Sequence, residues 1–315
     1  MRLRSTRNIS AAAVQRFLAS DAKYAYSPDH ASIGTVEAGE RFEVESVEGW
    51  SEYFRAPSDF TPERHAEAEA HKWAVVGPIT VAGAKRGGAV AVTIHALDVT
   101  TPGVVVYGAY TATDPFEWWD DETACALFPA QEGVLHFDDR TTLPTRPLIG
   151  CLAAAPEEGE VHAMLQGRYG GNLDCRELRA GATLVLPVAH DGGGLYFGDC
   201  KALMGDGEIV APPEVGALVT ASAELRERPP SLEWPRIETR DSLTTLVSGT
   251  PLEWSARQAF RELLNWVVDD YDLSRPNAAL LLAMVADARI AQISNTGYTA
   301  YCTAPREVLR PYVRD

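Results

Sequence analysis

The order of apolar and polar positions predicts β-strands over most of the chain. Strand-like runs occur at residues 35–47, 74–81, 89–99, 183–188 and 215–226, and glycine, proline or other turn-forming residues separate them. Alternation of apolar with polar residues is typical of strands with one buried face, because successive side chains point to opposite faces. The runs follow one another without a βαβ repeat, which favours antiparallel sheets.

Helical spacing dominates only near the C-terminus. Apolar residues recur every three or four positions from 256 to 271, and Ser255 with Gln258 has the pattern of a capping box. An earlier acidic, alanine-rich run at residues 62–70 predicts a short surface helix with proline in its first turn. The long C-terminal helix should therefore bury one face and start at Ser255.

A second C-terminal helix is predicted after Ser274. Because residues 278–286 are apolar on every side, we expect this helix to be buried all round. Asp287, Arg289 and Gln292 are expected to continue it as polar residues inside an apolar environment. A buried arginine needs a partner, so Arg289 is expected to neutralise a carboxylate, either of the functional site or of a structural ion pair.

These elements predict a β-rich α+β fold. It would consist of two packed units of antiparallel strands, with the two C-terminal helices covering a sheet. A chain of 315 residues can bury a large core. We expect either one unit over residues 1–315 or a subdivision into an N-terminal β part, 1–165, and a part that carries the site, 166–315.

Charge and cysteine content limit which partners the protein can bind and which cellular compartment suits it. With 44 acidic and 28 basic residues the formal net charge is −16, which repels nucleic acids and anionic membranes, so neither is an expected partner. No apolar run reaches membrane-spanning length and no secretory signal follows the start, which favours a cytoplasmic protein. The cysteines are scattered without a Cys-x-x-Cys pair and are expected to be free thiols: Cys125, Cys151, Cys175, Cys200 and Cys302.

The chemistry is concentrated near the middle of the chain, where polar residues stand among glycines. Asn172 and Asp174 precede one strand-like run, and Asp199, Lys201 and Glu208 follow it. Because Gly-rich turns flank that run, we expect these side chains to meet at one end of a sheet. Carboxylates can activate water, and an ammonium or amide group can stabilise an oxyanion. The set therefore suits hydrolysis of a carbonyl compound.

The same segment resembles the acetamidase/formamidase family. The shared motifs occur in the family's order and spacing at residues 170–174 (GGNLD), 180–188 (AGATLVLPV) and 198–208, where GD is followed by GDGE. The resemblance extends from about Gly77 to Arg306. It implies the family's fold, hydrolysis of a small linear amide to a carboxylate and ammonia, and a homodimer. The further motifs that carry it are residues 77–79 (GPI), 146–150 (RPLIG), 234–239 (WPRIET) and 287–293 (DARIAQI).

Three positions depart from the family pattern Gly-Asp-Gly-His-x-x-Gln-Gly-Asp-Gly-Glu. Cys200 replaces its second glycine, Lys201 its histidine and Met204 its glutamine. The resemblance permits a divalent metal, zinc or calcium, with Asp174 and Asp199 as oxygen donors and Glu208 as base. Loss of the imidazole weakens the case for a metal-dependent mechanism, because imidazole is a favoured ligand of zinc-type ions.

Two metal-free mechanisms are open alternatives. In one, Lys201 takes the place of the metal charge and stabilises the oxyanion while Glu208 activates water. In the other, Cys200 attacks as a thiolate, although neighbouring residues of a strand cannot both face one pocket. Outside amide hydrolysis, the chain could be a lysine-dependent lyase or a binding protein for a small molecule that has lost catalysis.

Three further residues are weaker candidates. Gly171 and Trp118 are predicted to contact the substrate. Trp118 belongs to an aromatic and acidic run, 116–122, that would either form a lid or pack between parts of the fold. Glu45 could approach the pocket from the strand at 35–47, although a solvent-facing carboxylate is favoured. The histidines show no metal-ligand spacing and are expected to be structural or exposed.

Overall fold

Two large β-sheets frame the protein in a computed structural model that describes residues 14–107 and 124–314. The described strands are, in chain order, β1 (Gln15–Phe17), β2 (Ala22–Lys23), β3 (Ala25–Tyr26), β4 (Gly34–Val36), β5 (Arg41–Ser46), β6 (Val75–Val81), β7 (Ala89–Val99), β8 (Gly103–Tyr107), β9 (Ala124–Phe128), β10 (Ala130–Gln131), β11 (Val134–His136), β12 (Thr142–Pro144), β13 (Leu148–Ala153), β14 (Val161–His162), β15 (Gln166–Gly167), β16 (Gly170–Asn172), β17 (Thr183–Pro187), β18 (Leu195–Lys201), β19 (Glu214–Val215), β20 (Ala217–Arg226), β21 (Arg236–Glu238), β22 (Ser242–Gly249), β23 (Asp287–Gln292) and β24 (Tyr298–Pro305). The described α-helices are α1 (Pro62–Glu69), α2 (Leu252–Asp270), α3 (Arg275–Val285) and α4 (Arg306–Leu309).

The pairing of these strands confirms the predicted antiparallel architecture. One sheet has nine strands in the order β1-β5-β20-β7-β17-β21-β22-β24-β23. The other has ten, in which β15-β16-β13-β18-β19-β8-β9 form a path and β6 pairs with β18, β2 and β4. Among the described strands only β1 with β5 and β4 with β6 run parallel. Two small sheets, β10-β11-β12 and β14-β3, complete the set.

The main hydrophobic core lies between the two large sheets. It joins Val92 and Leu184 of the nine-stranded sheet to Leu152 and Phe197 of the ten-stranded sheet. An edge-to-face contact between the rings of Phe42 and Phe197, with centroids 5.7 Å apart, spans the same space. Each strand buries the apolar half of its alternating residues here. Smaller apolar clusters outside this core also use residues of the ten-stranded sheet, one of them with Val75, Cys151 and Tyr196.

The C-terminal helices cover the other face of the nine-stranded sheet, as the sequence predicts. Leu263 and Trp266 of α2 pack with Leu243 and Val247 of β22, and Leu282 of α3 joins the same cluster. The molecule is therefore layered as helices, nine-stranded sheet and ten-stranded sheet. No described helix is both long enough and apolar enough to cross a membrane.

The predicted start of the long helix is wrong. Helix α2 begins at Leu252 after Pro251, so Ser255 lies inside its first turn and is not the N-terminal cap. The Ser255 hydroxyl donates instead to the carbonyls of Gly249 and Tyr298, at 3.1 and 3.3 Å. It ties the helix to the two neighbouring strands, a tertiary role that local sequence does not reveal.

Helix α3 starts where predicted but is not buried all round. The Ser274 hydroxyl accepts a hydrogen bond from the Asn277 backbone amide and caps the helix. Ala278 and Leu282 are its buried residues, whereas Leu280 and Met284 are 61% and 79% exposed. Only one side of α3 packs against the protein, so an all-round apolar sequence was a misleading sign of burial.

The residues after α3 form a strand, which corrects the prediction of a continuing helix. Asp287–Gln292 is β23 and pairs with β24 at the edge of the nine-stranded sheet. Arg289 binds Asp287 at 2.8 Å and lies 3.7 Å from Asp206, and it is partly exposed. It therefore contributes to a surface ion-pair group and does not neutralise a carboxylate of the central site.

Both large sheets contain strands from before and after residue 165. The alternative of two sequential parts thus does not coincide with separate sheets, and the division into parts stays a prediction. The predicted strand at 215–226 shows how the sheets are linked. It is broken at Gly216 into β19, in the ten-stranded sheet, and β20, in the nine-stranded sheet.

Candidate active site

The central residues converge because β16 and β18 pair with the same strand. β13 lies between them, with Cys151 opposite Asn172 on one side and opposite Gly198 on the other. Asp174 follows β16, and Lys201 ends β18. The predicted convergence is therefore present, but its cause differs from the one inferred. The intervening strand β17 belongs to the other sheet and does not carry the site.

A buried ammonium group is the centre of the site. Lys201 Nζ lies 2.9 Å from Oδ1 of Asp174 and 2.5 Å from Oδ2 of Asp199. It also lies 3.4 Å from Oε1 of Glu214 and 3.9 Å from Oε1 of Glu208. Its side chain is 1% exposed. Four carboxyl groups thus enclose one lysine, at distances where an ammonium and a carboxylate attract strongly in a medium of low polarity.

Two acidic residues of this region were missed by sequence reasoning. Glu214 pairs with Lys201 across β18 and β19, and Glu48 lies buried in the turn after β5. Glu48 accepts hydrogen bonds from the backbone amides of Trp50, at 2.6 Å, and Glu52. Both acids are remote in sequence from the central segment and stand in no recognisable motif. Glu45, the acid singled out on that strand, instead lies near Arg16 at the surface.

Gly150 and Gly49 have no side chains, and carboxylates of the cluster occupy the space where a Cβ atom would lie. A Cβ atom on Gly150 would lie 2.4 Å from Oδ1 of Asp174 and 2.6 Å from Oδ2 of Asp199. A Cβ atom on Gly49 would lie 2.3 Å from Oε2 of Glu214. Such distances are well inside van der Waals contact, so any side chain at these positions would displace the acids.

The backbone is strained where three of the acids emerge. Asp174, Asp199 and Glu208 have φ of 43°, 57° and 40°, in the left-handed region that residues with side chains rarely adopt. Each such residue costs on the order of 1–3 kcal/mol and persists only where surrounding structure imposes it. The local conformation is thus held by the ion cluster and by the tight packing around it.

Burial and mutual charge separate the acids into two classes. Burial raises the pKa of Asp174 to about 6, even though Lys201 opposes the shift. Burial also raises the pKa of Glu208 and of Glu214 well above the ordinary range, with a nearby aspartate adding to it. For Asp199, burial acts in the same direction, but Lys201 and hydrogen bonds outweigh it and lower the pKa. Lys201 therefore favours the ionised form of Asp199, whereas burial favours the protonated form of the other three acids.

Lys201 keeps its proton in this environment. Burial alone would lower its pKa, but Asp174, Asp199, Glu214 and Glu208 together outweigh that effect and raise the pKa well above its usual value. Lys201 donates a hydrogen bond to Oδ2 of Asp199 at 2.5 Å, and its ion pairs with the other three acids connect the cluster.

The loop between β23 and β24 closes the site from the nine-stranded sheet. Ser294 donates to Oε2 of Glu208 at 2.9 Å, and Asn295 donates to Oδ2 of Asp174 at 3.4 Å. Gln292 is fully buried and positions this loop: its amide donates to Gly297 O, and its oxygen accepts from the Asn295 backbone amide. The polar residue that sequence reasoning placed in a helix is thus a support of the site.

The cysteines have roles other than those first considered. Cys200 faces the core between the sheets, opposite in direction to Lys201, and burial raises its thiol pKa to about 12. The thiolate mechanism at Cys200 is therefore not supported. Cys151 is buried in an apolar cluster and also contacts the site: its Sγ lies 3.3 Å from Oδ1 of Asn172 and 3.8 Å from Oδ2 of Asp199.

Asn172, Gly171 and Trp118 are the remaining predicted site residues. Asn172 is buried, and its side-chain nitrogen has no acceptor among the described residues. Gly171 lies within β16, paired with Leu152 and Gln166, and its substrate contact stays a prediction. Trp118 lies outside the described residues.

A divalent metal does not fit the centre of this cluster. Metal–oxygen bonds for zinc or calcium measure about 2.0–2.6 Å. The point that such an ion would occupy between the carboxylates is filled by the Lys201 ammonium, 2.5–3.9 Å from one oxygen of each acid. In residues 14–107 and 124–314, no three histidine, cysteine, aspartate or glutamate side chains are arranged to hold a metal ion.

A family model and a solved structure point to the same family. A model of the Acetamidase/Formamidase family matches residues 152–229. The crystal structure of a recombinant predicted acetamidase/formamidase from Thermoanaerobacter tengcongensis superposes with a TM-score of 0.87 and 27% sequence identity, over 95% of this chain and 97% of that one. No curated protein sequence gives a significant match.

Two further structures share the fold. Acetamidase from Bacillus halodurans has a TM-score of 0.86 and 24% identity, over 94% of this chain and 99% of that one. Acetamidase from Yersinia enterocolitica has a TM-score of 0.81 and 24% identity, over 95% of this chain and 94% of that one. At this identity the likeness concerns architecture, and chemistry must be argued from the residues present.

Proposed function

Because the chain belongs to the acetamidase/formamidase family, we propose that it hydrolyses a small, linear, non-peptide amide to a carboxylate and ammonia. The observation that carries the proposal is the buried group of Lys201, Asp174, Asp199, Glu208 and Glu214, with one acid, Glu208, that also lines an adjoining cavity. Groups with strongly shifted pKa beside a cavity are typical of catalytic sites.

Glu208 is the acid–base group in this proposal. In its ionised form it takes a proton from water as the water oxygen attacks the amide carbonyl carbon. It then returns that proton to the nitrogen as the carbon–nitrogen bond breaks, and the carboxylic acid and ammonia leave. A carboxylate with a raised pKa is a stronger base than an ordinary one, which suits an unactivated amide.

Lys201 contributes positive charge to the transition state. Its Nζ lies 3.9 Å from Glu208, so negative charge that develops on the substrate oxygen next to Glu208 is stabilised across a short, poorly screened distance. The N–H groups of Lys201 are directed to its acidic neighbours. Asn172 is the candidate donor to the oxyanion, because its buried amide nitrogen has no acceptor among the described residues.

The same geometry supports a reaction that needs no divalent metal. The family pattern has histidine where this chain has Lys201, and the Lys201 ammonium holds together the carboxylates that a cation would otherwise hold. A lysine-dependent lyase is less well supported, since a lysine nucleophile must lose the proton that four acids retain on Lys201.

The test is release of ammonia and of the matching carboxylate from a panel of primary amides of one to eight carbons. We expect turnover by protein freed of metal with a chelator, and loss of turnover in Glu208→Gln. If folded protein turns over none of these amides, the proposed hydrolase activity is wrong and a small-molecule binding protein is favoured. Stoichiometric zinc that remains bound in an active Lys201→Ala variant would overturn the metal-free mechanism.

A further inference from the structure

The cavity beside Glu208 is lined almost entirely by hydrocarbon. It has a volume of about 430 Å³ and lies between β8, β9, β11 and the segment from 203 to 213. Of the fifteen described residues that line it, thirteen have no charged or hydrogen-bonding side chain. Its size is within the range of about 300–1,000 Å³ that is usual for small-molecule sites.

The polar side chains of the wall are not equivalent. Asp206 is occupied: its Oδ1 accepts a hydrogen bond from Tyr301 at 2.8 Å and lies 3.4 Å from Arg176. Glu208 is the other acid, and its carboxyl group belongs to the Lys201 cluster. The wall of this cavity therefore combines the base of the proposed reaction with apolar side chains.

The apolar wall is built from parts that are held in place. The rings of Phe128 and Phe137 stack with centroids 5.4 Å apart. Met204 and Ile209 flank Glu208 on the opposite segment, where Met204 stands at the glutamine position of the family pattern. That segment is anchored at Gly207, whose amide donates to Ala291 O at 3.1 Å. Ring stacking and a backbone hydrogen bond thus hold two parts of the wall in place.

We propose that the substrate is a primary amide whose acyl group is a hydrocarbon chain of about four to eight carbons or a phenyl ring. The inference rests on the proposed function, because it assigns the amide group to Glu208 and the acyl group to the apolar cavity. Formamide and acetamide leave this space unfilled. Each methylene that enters it is withdrawn from water, and binding energy from such non-reacting parts can be used in the transition state.

A chain-length series tests the inference on the protein as it is. We expect kcat/KM to rise by about fourfold per added methylene from acetamide through butyramide to hexanamide. Benzamide should also exceed acetamide. Equal or lower kcat/KM for hexanamide than for acetamide, in protein that does hydrolyse acetamide, would overturn the acyl-cavity proposal and leave the amidase intact.

Substitutions in the cavity wall test whether the preference for longer amides arises in this cavity. Ile209 is partly exposed, so Ile209→Asn should fold, and it should lower kcat/KM for hexanamide at least tenfold more than for acetamide. Met204→Gln should act in the same direction. Leu280→Asn on α3 changes an exposed leucine remote from the cavity and should alter neither ratio. A hexanamide-to-acetamide ratio that is unchanged in both wall variants would overturn the proposal.

Binding separates this inference from the reaction. If no amide is turned over, the proposed hydrolase activity is wrong. Calorimetric titration with hexanamide and acetamide then still measures how tightly each amide binds. Tighter binding of hexanamide, weakened at least fivefold by Ile209→Asn, supports the apolar site. Equal binding of the two amides, or hexanamide binding that Ile209→Asn leaves unchanged, rejects it.

Discussion

Lys201 Nζ lies 2.5 Å from Oδ2 of Asp199, the residue two positions before it on β18. Phe197 and Cys200 of β18 both pack in the core, because Asp199 has a φ of 57° that interrupts the alternation of the strand and lets its carboxylate meet Lys201. One strand thus supplies both the cation and its nearest anion. Asp174, Glu208 and Glu214 complete the enclosure from neighbouring segments.

Removal of the central charge should destabilise the protein strongly. In Lys201→Met the apolar part of the side chain is kept, but the buried aspartates lose the cation that keeps them ionised. Loss of one partner from a buried ion pair costs about 3–5 kcal/mol. We expect a fall of that order in the free energy of unfolding at neutral pH, measured by denaturant titration, together with loss of amide hydrolysis.

Lys85→Met is the matched control for this substitution. Lys85 pairs with Asp191 at 2.9 Å, but its side chain is 75% exposed. An exposed pair of this kind contributes less than about 1 kcal/mol. Similar losses of stability in Lys85→Met and Lys201→Met would show that burial gives the central lysine no special role.

A single methyl group should disturb the two aspartates. In Gly150→Ala the new Cβ would lie 2.4 Å from one carboxylate oxygen of Asp174 and 2.6 Å from one of Asp199. The carboxylates must move away from Lys201, so we expect kcat/KM to fall by at least 100-fold and the unfolding midpoint to drop. Amide turnover and thermal denaturation measure the two effects.

Gly159→Ala separates crowding from backbone strain. Gly159 has a φ of 73° and open space where a Cβ would lie, so the substitution adds strain alone. That strain costs about 1 kcal/mol and should leave kcat/KM unchanged. Full activity in Gly150→Ala would mean that the positions of the aspartates do not matter for the reaction.

The sequence predicts the part of the site that is local in the chain. Asp174, Asp199, Lys201 and Glu208 fall in one segment of glycines and strand-like runs, and the structure brings them together. The direction of Cys200 away from Lys201 also follows from strand alternation. Their catalytic roles stay predictions, because geometry alone does not demonstrate turnover.

The missed residues depend on contacts that no local pattern encodes. Glu214 reaches Lys201 only because β19 pairs with β18, and Glu48 is buried by a turn of otherwise ordinary composition. Gln292 was misplaced for a related reason. The pairing of β23 shifts register between Ile290 and Gln292, which interrupts the alternation that would have identified a strand.

Glu48 should make stability depend on pH near neutrality. Burial raises its pKa from 4.5 to about 7, so the folded state binds its proton more tightly than the unfolded state does. The resulting stabilisation is complete below pH 4.5 and is lost as pH rises through 7. The shift corresponds to about 3 kcal/mol. In Glu48→Gln this loss should be absent.

Unfolding free energies of both proteins between pH 4.5 and 8.5 give the measurement. The difference between Glu48→Gln and the parent protein should grow in favour of the variant as pH rises. Glu37→Gln, at an exposed position, removes a charge without burial and should follow the parent curve. Parallel curves for Glu48→Gln and the parent would contradict a raised pKa for this glutamate.

Ser294 should set the pH at which the enzyme becomes active. Its hydroxyl donates to Oε2 of Glu208 at 2.9 Å, and this bond lowers the Glu208 pKa against the larger upward effect of burial. The base must be ionised, so kcat/KM should rise with pH through the Glu208 pKa. Ser294→Ala removes the bond, raises that pKa further and should move the rise to higher pH.

The pH profile of kcat/KM distinguishes this effect from a loss of structure. A merely structural role for Ser294 would lower kcat/KM equally at every pH, whereas altered ionisation of Glu208 moves the profile and lets activity recover under alkaline conditions. Ser294→Thr retains a hydroxyl and should restore the original midpoint. Ser32→Ala, at an exposed hydroxyl far along the chain, should leave the profile unchanged. A shift toward lower pH in Ser294→Ala would contradict the assignment of Glu208 as the base.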